Sequence, residues 1–161
     1  MFVVALKKKE LKYYTVGIII CLFAVIGGII SVSQSASLPA SKIGSYNMRA
    51  SSTEERRAFF SQFGWEISED PLEVKEVVIP TEFDETYEEY NTLQKKQGLD
   101  LSKYKGKRVK FWSYEIKNYP AHENSDGAIR GNILVYEGIV IGGDICNIEL
   151  DGFMHEFNIT L

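Results

Sequence analysis

Residues 129–145, IRGNILVYEGIVIGGDI, decide the fold class. Two β-rich runs, about 129–136 and 139–145, flank the two-residue turn Glu137-Gly138. A loop of that length suits a tight antiparallel hairpin in which glycine supplies the positive φ. The pair Gly142-Gly143 marks a bulge or bend in the second strand.

The chain on the amino-terminal side extends this sheet. Residues 107–118, KRVKFWSYEIKN, read as a long strand. Lys110, Trp112, Tyr114 and Ile116 face one way, and Val109, Phe111 and Ser113 face the other. Residues 72–79, LEVKEVVI, are rich in β-branched side chains and stop at Pro80. Between these strands Thr81 caps a helix over about 82–97, stopped by Gly98, with Phe83, Tyr87, Tyr90 and Leu93 or Gln94 on one face. Its acids crowd the first half and Lys95 and Lys96 the end, an order that complements the helix dipole. An earlier helix starts at Ser51 or Ser52, each followed three residues later by a glutamate in capping-box form. Ala58, Phe59 and Phe63 give it an apolar face, Gly64 stops it, and Trp65–Ile67 opens a short strand. The end of the chain, NIELDGFMHEFNITL, supplies a last short strand. The expected order is α-β-β-α-β-β-β. It makes an α+β two-layer domain, an antiparallel sheet with two helices packed on one face.

Composition bounds the rest. The chain has 161 residues, 45% hydrophobic and 25% charged, which excludes wholesale disorder and fibrous repeats. The length allows one domain and an appendage. Two cysteines exclude a disulfide scaffold. The net charge of −4 divides into +3 over residues 1–12 and −7 over the remainder. Residues 13–33, YYTVGIIICLFAVIGGIISVS, contain no charged side chain. About 20 apolar residues at 1.5 Å rise cross a hydrocarbon layer of roughly 30 Å. The lysines before the run keep that end on the cytoplasmic side. The expectation is a cytoplasmic stub 1–12, a signal-anchor helix 13–33, a flexible linker 34–50 and an extracytoplasmic domain 51–161. A cleavable signal peptide is the competing reading, with Ser35, Ala36 and Ser37 as the cleavage region. A stub of a dozen residues is too short to fold independently, so function falls to the outer domain.

No nucleotide-binding loop is present, and no catalytic, cofactor or metal position is assigned. His122, Glu123 and Asp126 are a conceivable metal set, against the plainer reading of a solvated polar loop. The densest group of reactive side chains is Asp144, Cys146, Glu149, Asp151 and His155. A thiol enzyme would need Cys146 and His155 at hydrogen-bond distance with an orienting acid. The plainer reading is a strand with Ile145 and Ile148 inward, followed by an Asp151-Gly152 turn. Trp112, Tyr114, Asp144, Cys146, Asp151 and His155 form the candidate binding surface. Charge is segregated: residues 66–89 hold ten acids and one base, and 95–110 hold seven bases and one acid. The basic group Lys103, Lys105, Lys107, Arg108 and Lys110 is interleaved with Tyr104, Phe111 and Trp112. The outer location and the −7 of the chain beyond residue 12 argue against nucleic acid. An anionic envelope partner or a protein remains, against mutual neutralisation of the two stretches across the surface. The leading expectation is a membrane-tethered binding or scaffold module. The alternative is a small envelope enzyme using the Cys/His/Asp cluster.

Several stretches carry a resemblance: FGWEI at 63–67, VVIP at 77–80, FDETYEEYN at 83–91, LQKKQGLDLSKYKGK at 93–107, NILVYEGIVIGGDI at 132–145 and ELDGFMH at 149–155. From Arg56 to His155 the chain resembles the bacterial domain-of-unknown-function family DUF4830. The resemblance implies small, single-pass or exported proteins. It implies no activity and carries over no catalytic residue.

Overall fold

The computed structural model describes residues 46–122 and 127–158. The basic stub, the uncharged run 13–33 and most of the expected linker lie outside the described residues. Among the described residues no helix is long and apolar enough to cross a membrane.

Helix α1 (Thr53–Ser61) begins with both arms of the expected capping box. The Ser52 hydroxyl accepts from the Glu55 amide at 3.2 Å, and the Glu55 carboxylate accepts from the Ser52 amide at 3.3 Å. Strand β1 is Glu73–Val78, and helix α2 is Glu85–Lys96. The cap of α2 is Asp84, whose side chain accepts from the Tyr87 amide at 2.8 Å, rather than the expected Thr81. A 3-10 turn at Leu101–Tyr104 leads into β2 (Arg108–Glu115), β3 (Ile129–Tyr136), β4 (Ile139–Asn147) and β5 (Met154–His155). The stretch from Trp65 to Ile67 forms no strand; Ile67 makes a single bridge to Ile116.

The five strands pair in sequence order, all antiparallel. The β3–β4 turn has φ of 49° at Glu137 and 79° at Gly138, the two positive values that a type I′ hairpin requires. Beyond it Val135 faces Val140 but Leu134 faces Gly142, so Ile141 is an extra residue without a partner. This is the bulge expected at Gly142-Gly143, placed one residue earlier.

The helices do not share a face. Side chains alternate along a strand, and the contacts separate cleanly by parity. A Cβ at Gly131 would meet Phe60 of α1, whereas one at Gly142 would meet Leu101 and Gln94, on the α2 side. Phe59, Phe60, Trp65, Tyr114, Ile133 and Phe157 form one core, and Ile79, Leu101, Val109, Leu134 and Ile141 form a second. The expected two-layer arrangement is therefore corrected to helix, sheet, helix. The reason is visible in β3 and β4, which are buried on both sides along most of their length. Two apolar faces need two covers.

The expected linker also ends before residue 50. Arg49 bridges Ile139, the Val140 amide donates to the Met48 carbonyl at 2.8 Å, and Ala50 is buried. Residues 46–50 thus belong to the domain, lying along the outer edge of β4 at its start.

Candidate functional site

The six residues expected to form one surface fall in four places. Trp112 and Tyr114 lie on the α1 face of β2. Tyr114 is fully buried and its hydroxyl accepts from the Arg56 Nε at 2.8 Å. The Arg56 guanidinium lies 3.7 Å above the Trp112 ring and also donates to the carbonyls of Ala50 and Ser51 and to the Thr53 hydroxyl. A guanidinium so engaged ties the start of α1 to the sheet, with its charge met by dipoles and an aromatic face. Sequence reading overlooked Arg56, since an arginine in a helical pattern is ordinarily exposed.

Asp144 and Cys146 lie on the other face, beneath α2. Asp144 is fully buried. The Tyr90 hydroxyl donates to its Oδ2 at 2.8 Å and the Asn132 amide to its Oδ1 at 2.9 Å. Burial pushes the Asp144 carboxyl up to about 6, against the pull of these hydrogen bonds. Burial, and then the neighbouring carboxylate, push the Cys146 thiol up and the Tyr90 phenol well up. The buried thiol, held toward its protonated form, receives the Asn132 amide at 3.3 Å. The bulge creates this cluster. A regular ladder after a two-residue turn would set Gly143 opposite Asn132, and the extra Ile141 sets Asp144 there instead. Counting pairs across the bulge from Glu137-Gly138 is the sequence signal that finds Asn132.

His155 sits on β5 opposite Ile145, while Cys146 is opposite Met154. Neighbouring positions along a strand point to opposite faces, so the imidazole and the thiol are separated by the sheet. The pairing that a Cys–His mechanism requires is absent from this geometry. His155 instead joins an aromatic group at the β5 edge. Its Nδ1 meets the Glu156 carbonyl at 2.6 Å, which requires a proton there, so Nε2 accepts from the Tyr119 hydroxyl at 3.1 Å. Burial lowers its pKa, which keeps the ring neutral at pH 7. Tyr119 stacks on Trp65 with centroids 5.6 Å apart and on Phe153 at 4.9 Å, and His122 packs edgewise on both Tyr119 and Phe153. Both histidines of the chain therefore meet at one partly exposed aromatic group. Tyr119 and Phe153 have no sequence pattern that announces them, because loops bring them together.

Asp151 is exposed in a turn with φ of 65° and meets none of the other five. Glu123 and Asp126, weighed with His122 as a metal set, lie outside the described residues. Among the described residues no three of His, Cys, Asp and Glu come together to hold a metal ion.

No curated protein and no solved structure matches the chain. One family profile, described as a domain of unknown function, matches residues 59–145, which is 87 of the 161 positions. The match runs from α1 into β4, so it takes in Asp144 with its partners Tyr90 and Asn132, and stops short of Cys146 and His155. This chain belongs to the domain-of-unknown-function family DUF4830.

Proposed function

We propose that the chain is a single-pass membrane protein whose α+β domain, outside the cytoplasm, works as a binding or scaffold module. The observation that carries this reading is the uncharged run 13–33 with Lys7, Lys8, Lys9 and Lys12 before it. The domain's geometry favours binding over thiol chemistry. Its cysteine is buried with a raised pKa, its buried carboxyl is satisfied from α2 and β3, and the imidazole lies across the sheet from the thiol. The aromatic group of Trp65, Tyr119, Phe153 and His155, partly open at the β5 edge, is the surface best suited to a partner.

Alkaline extraction of membranes followed by protease treatment of intact cells tests this reading. The full-length chain is expected to stay in the membrane pellet, and its domain to be digested from outside. A full-length chain in the soluble fraction, or a domain protected in intact cells, would overturn it. A mature chain starting near residues 36–39 would replace the anchor with an exported domain.

A further inference from the structure

We propose that the chain pairs with a second copy of itself through β1, the two strands running antiparallel about Glu76, so that the sheet continues from one copy into the next.

Among the described residues strand β1 is a margin of the sheet, bonded to β2 alone. The Ile79 amide donates to the Lys107 carbonyl at 2.9 Å, which fixes the alternation of the ladder. Odd-numbered residues of β1 exchange hydrogen bonds with β2, and the backbone groups of Val74, Glu76 and Val78 point outward. Among the described residues no backbone bond outside the ladders engages those three. Their side chains share the α1 face, and the two valines remain 48% and 54% exposed.

Pairing of two identical antiparallel strands around a two-fold axis allows only registers in which opposed residues share a face. Three registers therefore bond two or more of the outward residues of β1, and the one centred on Val77 sets each valine at 78 against the partner's glutamate at 76. Centred on Lys75, the pairing opposes two lysines and sets each valine at 74 against the partner's glutamate at 76. Centred on Glu76, it sets Val74 of each copy against Val78 of the other, twice, and bonds all three outward residues. The register centred on Glu76 alone pairs the exposed valines with each other and is the one the sequence favours. Its cost is the meeting of two Glu76 carboxylates at the axis. Arg108 lies 3.3 Å from that carboxylate, and Lys110 is its neighbour on β2, so each copy brings its own neutralising charge. Charged side chains on an edge strand ordinarily guard against such pairing. Here Lys75 is occupied on the opposite face, 2.8 Å from Glu73 and over the Phe111 ring, leaving Glu76 as the guard on the α1 side.

Strand pairing alone is a small interface, so covalent trapping is the suitable test. Directly opposed, hydrogen-bonded residues of antiparallel strands have Cα atoms about 5.5 Å apart, within disulfide range. In the full chain, purified in detergent with Cys21→Ala, mild oxidation is expected to crosslink Glu76→Cys into dimers. Lys75→Cys, one position off the axis, is expected to stay monomeric. Sedimentation of the same chain gives an independent reading. Glu76→Gln is expected to tighten the dimer about two- to fivefold by removing the opposed charges, and Val74→Lys with Val78→Lys to abolish it. Absence of crosslinking at Glu76→Cys, equal crosslinking at Lys75→Cys, or a dimer indifferent to lysines at 74 and 78 would each overturn the proposal.

Discussion

At Asp144 the chain sets a carboxyl under α2 with a phenol, an amide and a thiol as company, and among the described residues no cation forms an ion pair with it. Its carboxyl stays protonated in the fold up to about pH 6, whereas in the unfolded chain it ionises near 4. The folded state thus holds the proton that the unfolded state has already lost, and stability falls as pH rises between those values. The loss is about 3 kcal/mol and is complete above pH 6. Asp144→Asn keeps the shape, accepts from Asn132 and can donate to the Tyr90 oxygen. Urea unfolding at pH 4 and pH 7 is expected to show the wild-type chain losing about 2 kcal/mol relative to this variant, the remainder of the loss lying below pH 4. Equal pH dependence of the two chains would mean that Asp144 ionises in the interior at no cost. Asp100 shifts the other way, held low first by the Ser102 hydroxyl, but it is common to both chains and cancels in the difference.

Among the elements, the bulged β3–β4 hairpin governs most of the fold, and its glycines answer to different constraints. At Gly131 a methyl would lie 2.6 Å from a Phe60 ring carbon and 2.8 Å from the end of Ile116, both side chains that can yield. At Gly143, with φ of 155°, it would overlap the Asn132 carbonyl oxygen, which cannot. Gly131→Ala is expected to cost about 1–3 kcal/mol, with partial rescue by Phe60→Leu. Gly143→Ala is expected to cost more and to resist rescue. Comparable losses, measured by chemical denaturation, would show that the strand backbone shifts freely at the bulge. The hairpin, the bulge and the capping box of α1 were legible because each rests on neighbours in sequence. The side of the sheet each helix covers was misread, although the signal was present. A strand that alternates has one wet face, and ILV in β3 with IVI in β4 do not alternate. The candidate site was read least well. Asp144 and Cys146 were singled out by chemistry alone, and only the pairing register shows that one sheet parts them from His155.

For the molecule as a whole, the amino-terminal boundary is structural. Met48 and Ala50 bond to the start of β4, and the Ala50 carbonyl accepts from the buried Arg56. A chain beginning at Ser51 is expected to be less stable by about 2 kcal/mol or more than one beginning at Tyr46, because it strands a buried donor. Equal unfolding midpoints would return residues 46–50 to the linker. The division of the interior by the sheet has an optical consequence. Both tryptophans, Trp65 and Trp112, belong to the α1 core, whereas the α2 core holds Tyr87, Tyr90, Tyr104 and Tyr136. Indole emission therefore reports on one half of the interior and is blind to the other. Loosening of α2 would leave that emission in place while the share of the near-ultraviolet dichroism due to Tyr87, Tyr90, Tyr104 and Tyr136 faded and that of Tyr114 and Tyr119 in the α1 core remained, so the two halves can be told apart without adding a label.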